Sequence, residues 1–341
     1  MKIECPSCSK VYNIPDESLK SRGKIAFKCP VCRGDIKLDL RPTENKPEIK
    51  KQDSPKSCAT NLTDDLKKEI AKSIKDLEPM PKVIHEAREL LSNPNTTFKK
   101  IGKVLETDQA ITAKVLKIAN SAYYGLSGRV SSIHQALIVL GHETLKQVIY
   151  TAGSSKLLAK TLNGYDLESS VLWSHSLAVA FGAKIIAAER KPTLENDAFT
   201  AGLLHDVGKL VLDEYILKNK PIFKKLVTNT HSSRKAEEEL FGFDHSEIAG
   251  LICMEWHLPE NQTLAIRHHH EPSRSQEVGL TYILHLADHL AHKCGFGAEI
   301  EEEAQKVEDI TLEILNFEEN DLVSIMDEIT ECVGNISKSV V

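Results

Sequence analysis

Four of the chain's eight cysteines fall within the first 32 residues as two matched pairs, Cys5-Pro-Ser-Cys8 and Cys29-Pro-Val-Cys32. Zn²⁺ takes four ligands tetrahedrally, and each C-x-x-C turn presents two sulfurs to one ion. Residues 1–40 therefore read as a small domain built on a structural zinc held by Cys5, Cys8, Cys29 and Cys32. Between the pairs, Lys10–Ile14 and Lys24–Lys28 alternate polar and apolar residues, as two short hairpin strands would. About forty residues bury too little apolar surface to fold alone, so the metal supplies the folding energy. A redox role for a C-x-x-C is disfavoured by the second matched pair and the missing βαβ context.

Residues 41–60 hold three prolines, many charges and almost no apolar side chains, the composition of a flexible linker. Cys58 within it reads as a solvated thiol. Residues 1–60 carry 13 Lys and Arg against 8 Asp and Glu, which leaves 30 against 41 for the remainder. An acidic body argues against a broad nucleic-acid footprint, because phosphate neutralisation supplies much of such affinity. The small basic excess in front is most simply a solvated surface.

From residue 61 the apolar period becomes helical. Leu62, Leu66, Ile70, Ile74 and Leu77 form one stripe, and Pro81 opens the next helix, with Val83, Ile84, Ala87, Leu90 and Leu91 inward. Similar patterns recur at 97–106, 108–120, 132–140, 143–160, 168–190, 196–213, 220–229, 234–241, 244–256, 260–270, 276–293, 299–315 and 319–337. The expected fold is thus an all-α body over 61–293 with a C-terminal helical extension over 294–341, preceded by the zinc-ribbon β-hairpin domain. In the extension, Ile310, Ile314, Leu315, Leu322, Ile325, Met326 and Ile329 stand at helical spacing and are expected to pack onto the same chain. No apolar run approaches the ~20 residues that cross a bilayer, and the N-terminus lacks the apolar core of a signal peptide. A cytoplasmic protein with no membrane partner is expected.

The chemistry is concentrated in the 14 histidines. His205-Asp206 lies in the otherwise apolar run AFTAGLLHDVGKLVLDEY, where an imidazole and a carboxylate are costly to bury without a partner. Further candidates are His175, His245, the triplet His268-His269-His270 and Asp288, all on apolar helical backgrounds or at helix ends. Imidazole plus carboxylate suits Mn²⁺, Fe²⁺ or Zn²⁺. One ion could be held by His175, His205, Asp206 and Asp288, and a second could share Asp206 and take His245, His269 and His270. Two such ions activate water and clamp a phosphoryl group in phosphoester hydrolysis. Lys209, one turn after His205, is either a point charge for a phosphate or an exposed lysine on a polar face. His285, His289 and His292 share a helix face, whereas His85, His134, His142, His231 and His257 are most simply surface or capping residues. Cys253, Cys294 and Cys332 read as buried small hydrophobes.

The N-terminal pattern I-x-C-P-x-C, Ile14-Pro-Asp16 and C-P-x-C resembles the small bacterial zinc ribbons. The order H…HD…D resembles the HD superfamily of metal-dependent phosphohydrolases, and the additional histidines resemble its HD-GYP cyclic-dinucleotide branch. LEPMPKVIHEARELL, the Ala119-Asn-Ser-Ala-Tyr-Tyr-Gly125 stretch and Leu140-Gly141 resemble the HDOD family, over roughly residues 65–292. That resemblance implies a bacterial signalling or regulatory module with protein partners. It leaves open an active phosphohydrolase on a nucleotide or cyclic dinucleotide, with Asp206 bridging the metals and Lys209 assisting. Where the HD-GYP branch has Gly-Tyr-Pro after His-His-Glu, this chain continues from Pro272 to Gly279 without it, which places cyclic-dinucleotide hydrolysis in doubt. A nucleic-acid adaptor acting through the basic ribbon is the weakest alternative, because the ribbon has no recognition helix or aromatic platform.

Overall fold

In the computed structural model the described residues are 2–4, 11–13, 24–28, 35–39, 69–70, 72–74, 82–93, 96–126, 128–275, 278–297, 307 and 309–340. Contacts divide the chain into two units, Met1–Lys56 and Ser57–Val341.

The first unit contains two antiparallel hairpins. β1 (Lys2–Glu4) pairs with β2 (Val11–Asn13) in the register Ile3 to Tyr12, and β3 (Lys24–Lys28) pairs with β4 (Asp35–Asp39) in the register Phe27 to Ile36. The alternating segments at 10–14 and 24–28, expected as strands of one hairpin, therefore belong to two hairpins. Each C-x-x-C lies between the strands of one hairpin in sequence, and the four cysteines themselves, with Cys58, lie outside the described residues. Alternation marks a strand without naming its partner, which is the physical reason for the difference.

The second unit is helical. In chain order it comprises α1 (Lys82–Ser92), α2 (Phe98–Leu105), α3 (Gln109–Ala119), α4 (Ile133–Leu158), α5 (Val171–Arg190), α6 (Glu195–Leu204) and α7 (Lys209–Lys218). α8 (Lys220–Thr230), α9 (Ser233–Phe241), α10 (His245–Glu255), α11 (Glu260–Arg267), α12 (Val278–Ala291), α13 (Asp309–Leu315) and α14 (Asp321–Val340) follow. Side-chain caps set several starts: Asp108 accepts from the Ala110 and Ile111 amides, Ser132 from Gln135, and Asp244 from Ser246 and Glu247. Such caps satisfy amides that have no partner within the helix. α4 bends at Gly141 (φ 76°, ψ 177°), where the sequence pattern also breaks.

α5 is the central element and packs against α6, α12 and α14. It buries Trp173, Leu177 and Phe181, with Phe199 of α6 against Phe181, each such side chain contributing on the order of 1.5–3 kcal/mol by leaving water. Its 20 residues are long and apolar enough to cross a membrane, which corrects the expectation that no run approaches this length; 72% of its apolar window is buried inside the protein. The extension docks through Leu322, Ile325 and Ile329 on α14, with Ile310 left exposed. Arg190 stacks 4.0 Å over the Phe317 ring and its Nη2 lies 3.5 Å from Asp321 Oδ2.

Two expected helices end differently. The 196–213 pattern is α6 and α7 separated at residues 205–208 by i to i+3 bonds, Val207 to Leu204 and Lys209 to Asp206. His205 and Gly208 keep right-handed helical dihedrals, so the apolar period runs on while the tighter turns redirect the chain. The 260–270 pattern stops at Arg267, leaving His268–His270 in a turn. The expected helix at 299–315 is described only over Asp309–Leu315.

Candidate metal centre

Five elements converge on one buried cluster. α5 supplies His175, the α6–α7 junction His205 and Asp206, the first turn of α10 His245, the turn after α11 His269 and His270, and α12 Asp288. Asp244 caps α10 and so fixes His245 at its first position. Close approach of the junction to α10 requires Gly208: a Cβ there would stand 2.0 Å from the His245 carbonyl oxygen.

The two carboxylate oxygens of Asp206 face different histidines. Oδ2 lies 3.5 Å from both His175 Nε2 and His205 Nε2, whereas Oδ1 lies 3.2 Å from His245 Nε2. Asp288 Oδ1 is 3.2 Å from His175 Nε2 and 3.8 Å from His205 Nε2. On the Oδ1 side, His270 Nε2 is 2.9 Å from His245 Nε2. Ligand atoms of His175, His205 and Asp206, of His205, His269 and Asp288, and of His245, His269 and His270 lie within 4.8 Å of one another.

The tautomers favour metal. His205 Nδ1–H donates to Gly202 O (2.7 Å), His269 Nδ1–H to Ile266 O (2.7 Å) and His245 Nδ1–H to Glu237 Oε2 (2.9 Å). In the neutral ring each of these turns an Nε2 lone pair inward. His269 Nε2 and Asp288 Oδ1 are buried without a hydrogen-bond partner. Inward lone pairs beside carboxylates repel one another unless a cation lies among them, and ligand atoms about 3 Å apart suit an ion bound at ~2.0–2.2 Å. The residues present therefore fit a divalent ion.

Electrostatics agree for all but His245, whose imidazole must give up its Nε2 proton before it can hold a metal. Burial alone would raise both carboxyls, but His205, Lys209 and His245 around Asp206, and His175, His292 and His205 around Asp288, hold them well below the usual carboxylate range. Burial lowers His205, brings His269 down to about 3 and pushes His270 well below its ordinary value. For His245 burial opposes the charge, yet Glu237 outweighs it and raises the imidazole well above its usual range.

Three features were left open or missed in the sequence. Lys209 is not on a polar face: it is buried, with Nζ 2.8 Å from Asp206 Oδ2. Glu237, fully buried, accepts from the His245 amide (2.6 Å), from His245 Nδ1 and from the Tyr165 hydroxyl (2.8 Å). His292, one of three histidines read only as sharing a face, has Nε2 3.6 Å from Asp288 Oδ1; its i, i+4 spacing from Asp288 was the available signal. Of its companions, His285 Nδ1 bonds the His269 carbonyl at 2.7 Å and His289 is buried. Among the other residues, His134 and His231 are exposed, Cys253 is buried, and Cys294 and Cys332 are half-buried.

Comparison with known proteins decides the family. Residues 77–272, more than half of the chain, match the HDOD domain. The chain belongs to the HDOD family. Residues 1–36 match a zinc-ribbon domain. The HDOD fold is shared with a domain of unknown function from Geobacter sulfurreducens (TM-score 0.69, 27% identity, 82% of this chain and 98% of that one). It is also shared with a candidate phosphohydrolase from Shewanella amazonensis (TM-score 0.63, 23% identity, 80% and 98%) and a candidate signal transduction protein from Marinobacter aquaeolei (TM-score 0.64, 24% identity, 78% and 59%). An uncharacterized protein of Treponema pallidum is 27% identical over 213 residues, 61% of this chain. The matched region spans 40% of that protein and 17% of the YuxH protein of Bacillus subtilis.

Proposed function

We propose that this HDOD protein is a signalling-output module whose helical body carries a closed divalent-metal centre. One ion is assigned to His175, His205, Asp206 and Asp288, and a second to His245, His269, His270 and Asp206, with Mn²⁺, Fe²⁺ or Zn²⁺ matching the donors. The ribbon cysteines are assigned one structural Zn²⁺. The observation that carries the reading is burial: His175, His205 and Asp206 are each 1% exposed, and His245 and His269 are fully buried. Structural metal sites are closed, whereas catalytic ones keep a position open to substrate. His270, the half-buried member, lines a cleft of ≈ 200 Å³ with Arg234, Arg267 and Arg274, below the roughly 300–1,000 Å³ usual for small-molecule sites. Bound metal would tie α5, the α6–α7 junction, α10, the turn after α11 and α12 into one unit, and so make the helical surface offered to a protein partner depend on occupancy.

A second reading, a phosphohydrolase acting on a nucleotide or cyclic dinucleotide, is favoured by the divided oxygens of Asp206 and the ammonium of Lys209 beside them. A metal pair there would supply Lewis acidity toward a phosphoryl group, while Lys209 would hold charge at Asp206 Oδ2. Metal analysis of the full chain grown with Mn²⁺ and Fe²⁺ tests the two together with hydrolysis assays on cyclic and linear nucleotides. Metal beyond the ribbon zinc, lost in His205→Ala and Asp206→Ala, with no turnover supports the signalling module. Turnover lost in those variants selects the phosphohydrolase, and ribbon zinc alone refutes both.

A further inference from the structure

Resting on the metal-centre reading above, we infer that His292 is an additional metal ligand at the His175–Asp288 end of the cluster, placed one helical turn after Asp288 and given room by the absence of a side chain at Gly297. The order of elements is the first support. α12 carries Asp288 inward and then ends at His292–Phe296 in a π turn closed by left-handed Gly295 (φ 83°), a common helix C-terminal form, so His292 stands on the last helical turn, one turn after Asp288. Its Nε2 is 3.6 Å from Asp288 Oδ1, its ring centroid is 4.9 Å from that of His175, and its side chain is only 14% exposed. Ligand atoms of His175, Asp288 and His292 lie within 4.8 Å of one another.

The second support is steric. A Cβ at Gly297 would stand 2.2 Å from His292 Nδ1 and 3.1 Å from its Cγ and Cε1. The backbone after the π turn thus passes against the outer edge of the imidazole, and only glycine lets the ring remain turned toward Asp288. The oxygen it faces, Asp288 Oδ1, is buried with no hydrogen-bond partner. A histidine retained merely to neutralise Asp288 would hydrogen-bond it; at 3.6 Å, with that oxygen unsatisfied, a shared ion is the arrangement that uses both groups.

The test is Mn²⁺ binding to the full chain followed by electron paramagnetic resonance, since a four-thiolate ribbon suits Zn²⁺ and not Mn²⁺. His292→Ala and Gly297→Ala should each weaken the binding of one Mn²⁺ by at least ~10-fold. Gly334→Ala, placed where a Cβ meets nothing within 4 Å, should bind as wild type. Circular dichroism and the thermal midpoint without metal identify any variant that fails to fold, and His292→Gln then replaces His292→Ala. Wild-type Mn²⁺ affinity in folded His292→Ala or His292→Gln overturns the inference while leaving the metal centre standing. Absence of Mn²⁺, and of any iron or zinc beyond the ribbon's, from the wild-type chain overturns both.

Discussion

Glu237 grips His245 twice: one carboxylate oxygen accepts the His245 backbone N–H at 2.6 Å and its ring Nδ1–H at 2.9 Å. The same contact starts α10, fixes the ring tautomer and aims Nε2 at Asp206, so a helix terminus and a metal-ligand orientation are set by one buried group.

Replacing Glu237 separates these roles. In Glu237→Gln the amide oxygen can still accept both the backbone and the Nδ1 hydrogens, but the carboxylate charge is lost and NH₂ replaces the oxygen that accepts from the Tyr165 hydroxyl. Mn²⁺ affinity is expected to fall ~10–100-fold with the fold retained. Glu237→Ala also strands the His245 amide, at about 1–3 kcal/mol for a buried unsatisfied group, read by urea unfolding. Unchanged metal affinity in the glutamine variant would show that the carboxylate serves the helix start alone.

Lys209 stands where it would compete with a metal at Asp206. Its ammonium stands 2.8 Å from Asp206 Oδ2 in a buried site and repels a divalent ion there. Lys209→Met should therefore tighten Mn²⁺ binding while destabilising the metal-free protein by about 3 kcal/mol, the scale for breaking a buried ion pair. Calorimetric titration together with denaturant midpoints, with and without Mn²⁺, measures both signs; weaker binding would instead mean that Lys209 cooperates with the ion.

Gly208 sets how closely the α6–α7 junction approaches α10. In Gly208→Ala the new methyl meets the His245 carbonyl at 2.0 Å and the Ala249 amide nitrogen at 2.8 Å, both backbone atoms that no rotamer change can relieve. A loss of about 3 kcal/mol in unfolding free energy is expected, accompanied by loss of metal. A wild-type urea midpoint would mean that the two segments separate freely.

Asn120 ties the end of α3 to Val130. Its Nδ2 donates to the Leu116 and Val130 carbonyls, and its Oδ1 accepts from the Val130 amide, all at 2.8 Å. The side chain thus straps Val130 to the end of α3. Asn120→Ala is predicted to cost about 1–3 kcal/mol by leaving the groups of buried Val130 unpaired, and Asn120→Asp, which keeps only the acceptor, to fall between. Equal thermal midpoints for all three proteins would disprove the strap. Metal content should be unchanged, because no metal donor is involved.

Local pattern carries much of this protein. The C-x-x-C pairs, the helical apolar period and the inward stretch around His205-Asp206 depend on neighbours one to four residues away, so the two-part organisation, the helical body and seven candidate ligands are legible from the chain. What tertiary structure decided is which groups meet across elements. Strand alternation at 11–13 did not reveal that β2 pairs with β1, and an apolar period that runs on through 205–208 hid a junction visible only as i to i+3 bonds. Glu237 and His292 looked ordinary because their significance lies in distances to His245 and Asp288. Lys209 could be read as a phosphate-facing charge or as a surface lysine, and only packing decided that it lies buried against Asp206. Periodicity reports which face of an element is covered, and only the packing of five elements around one point determines what covers it.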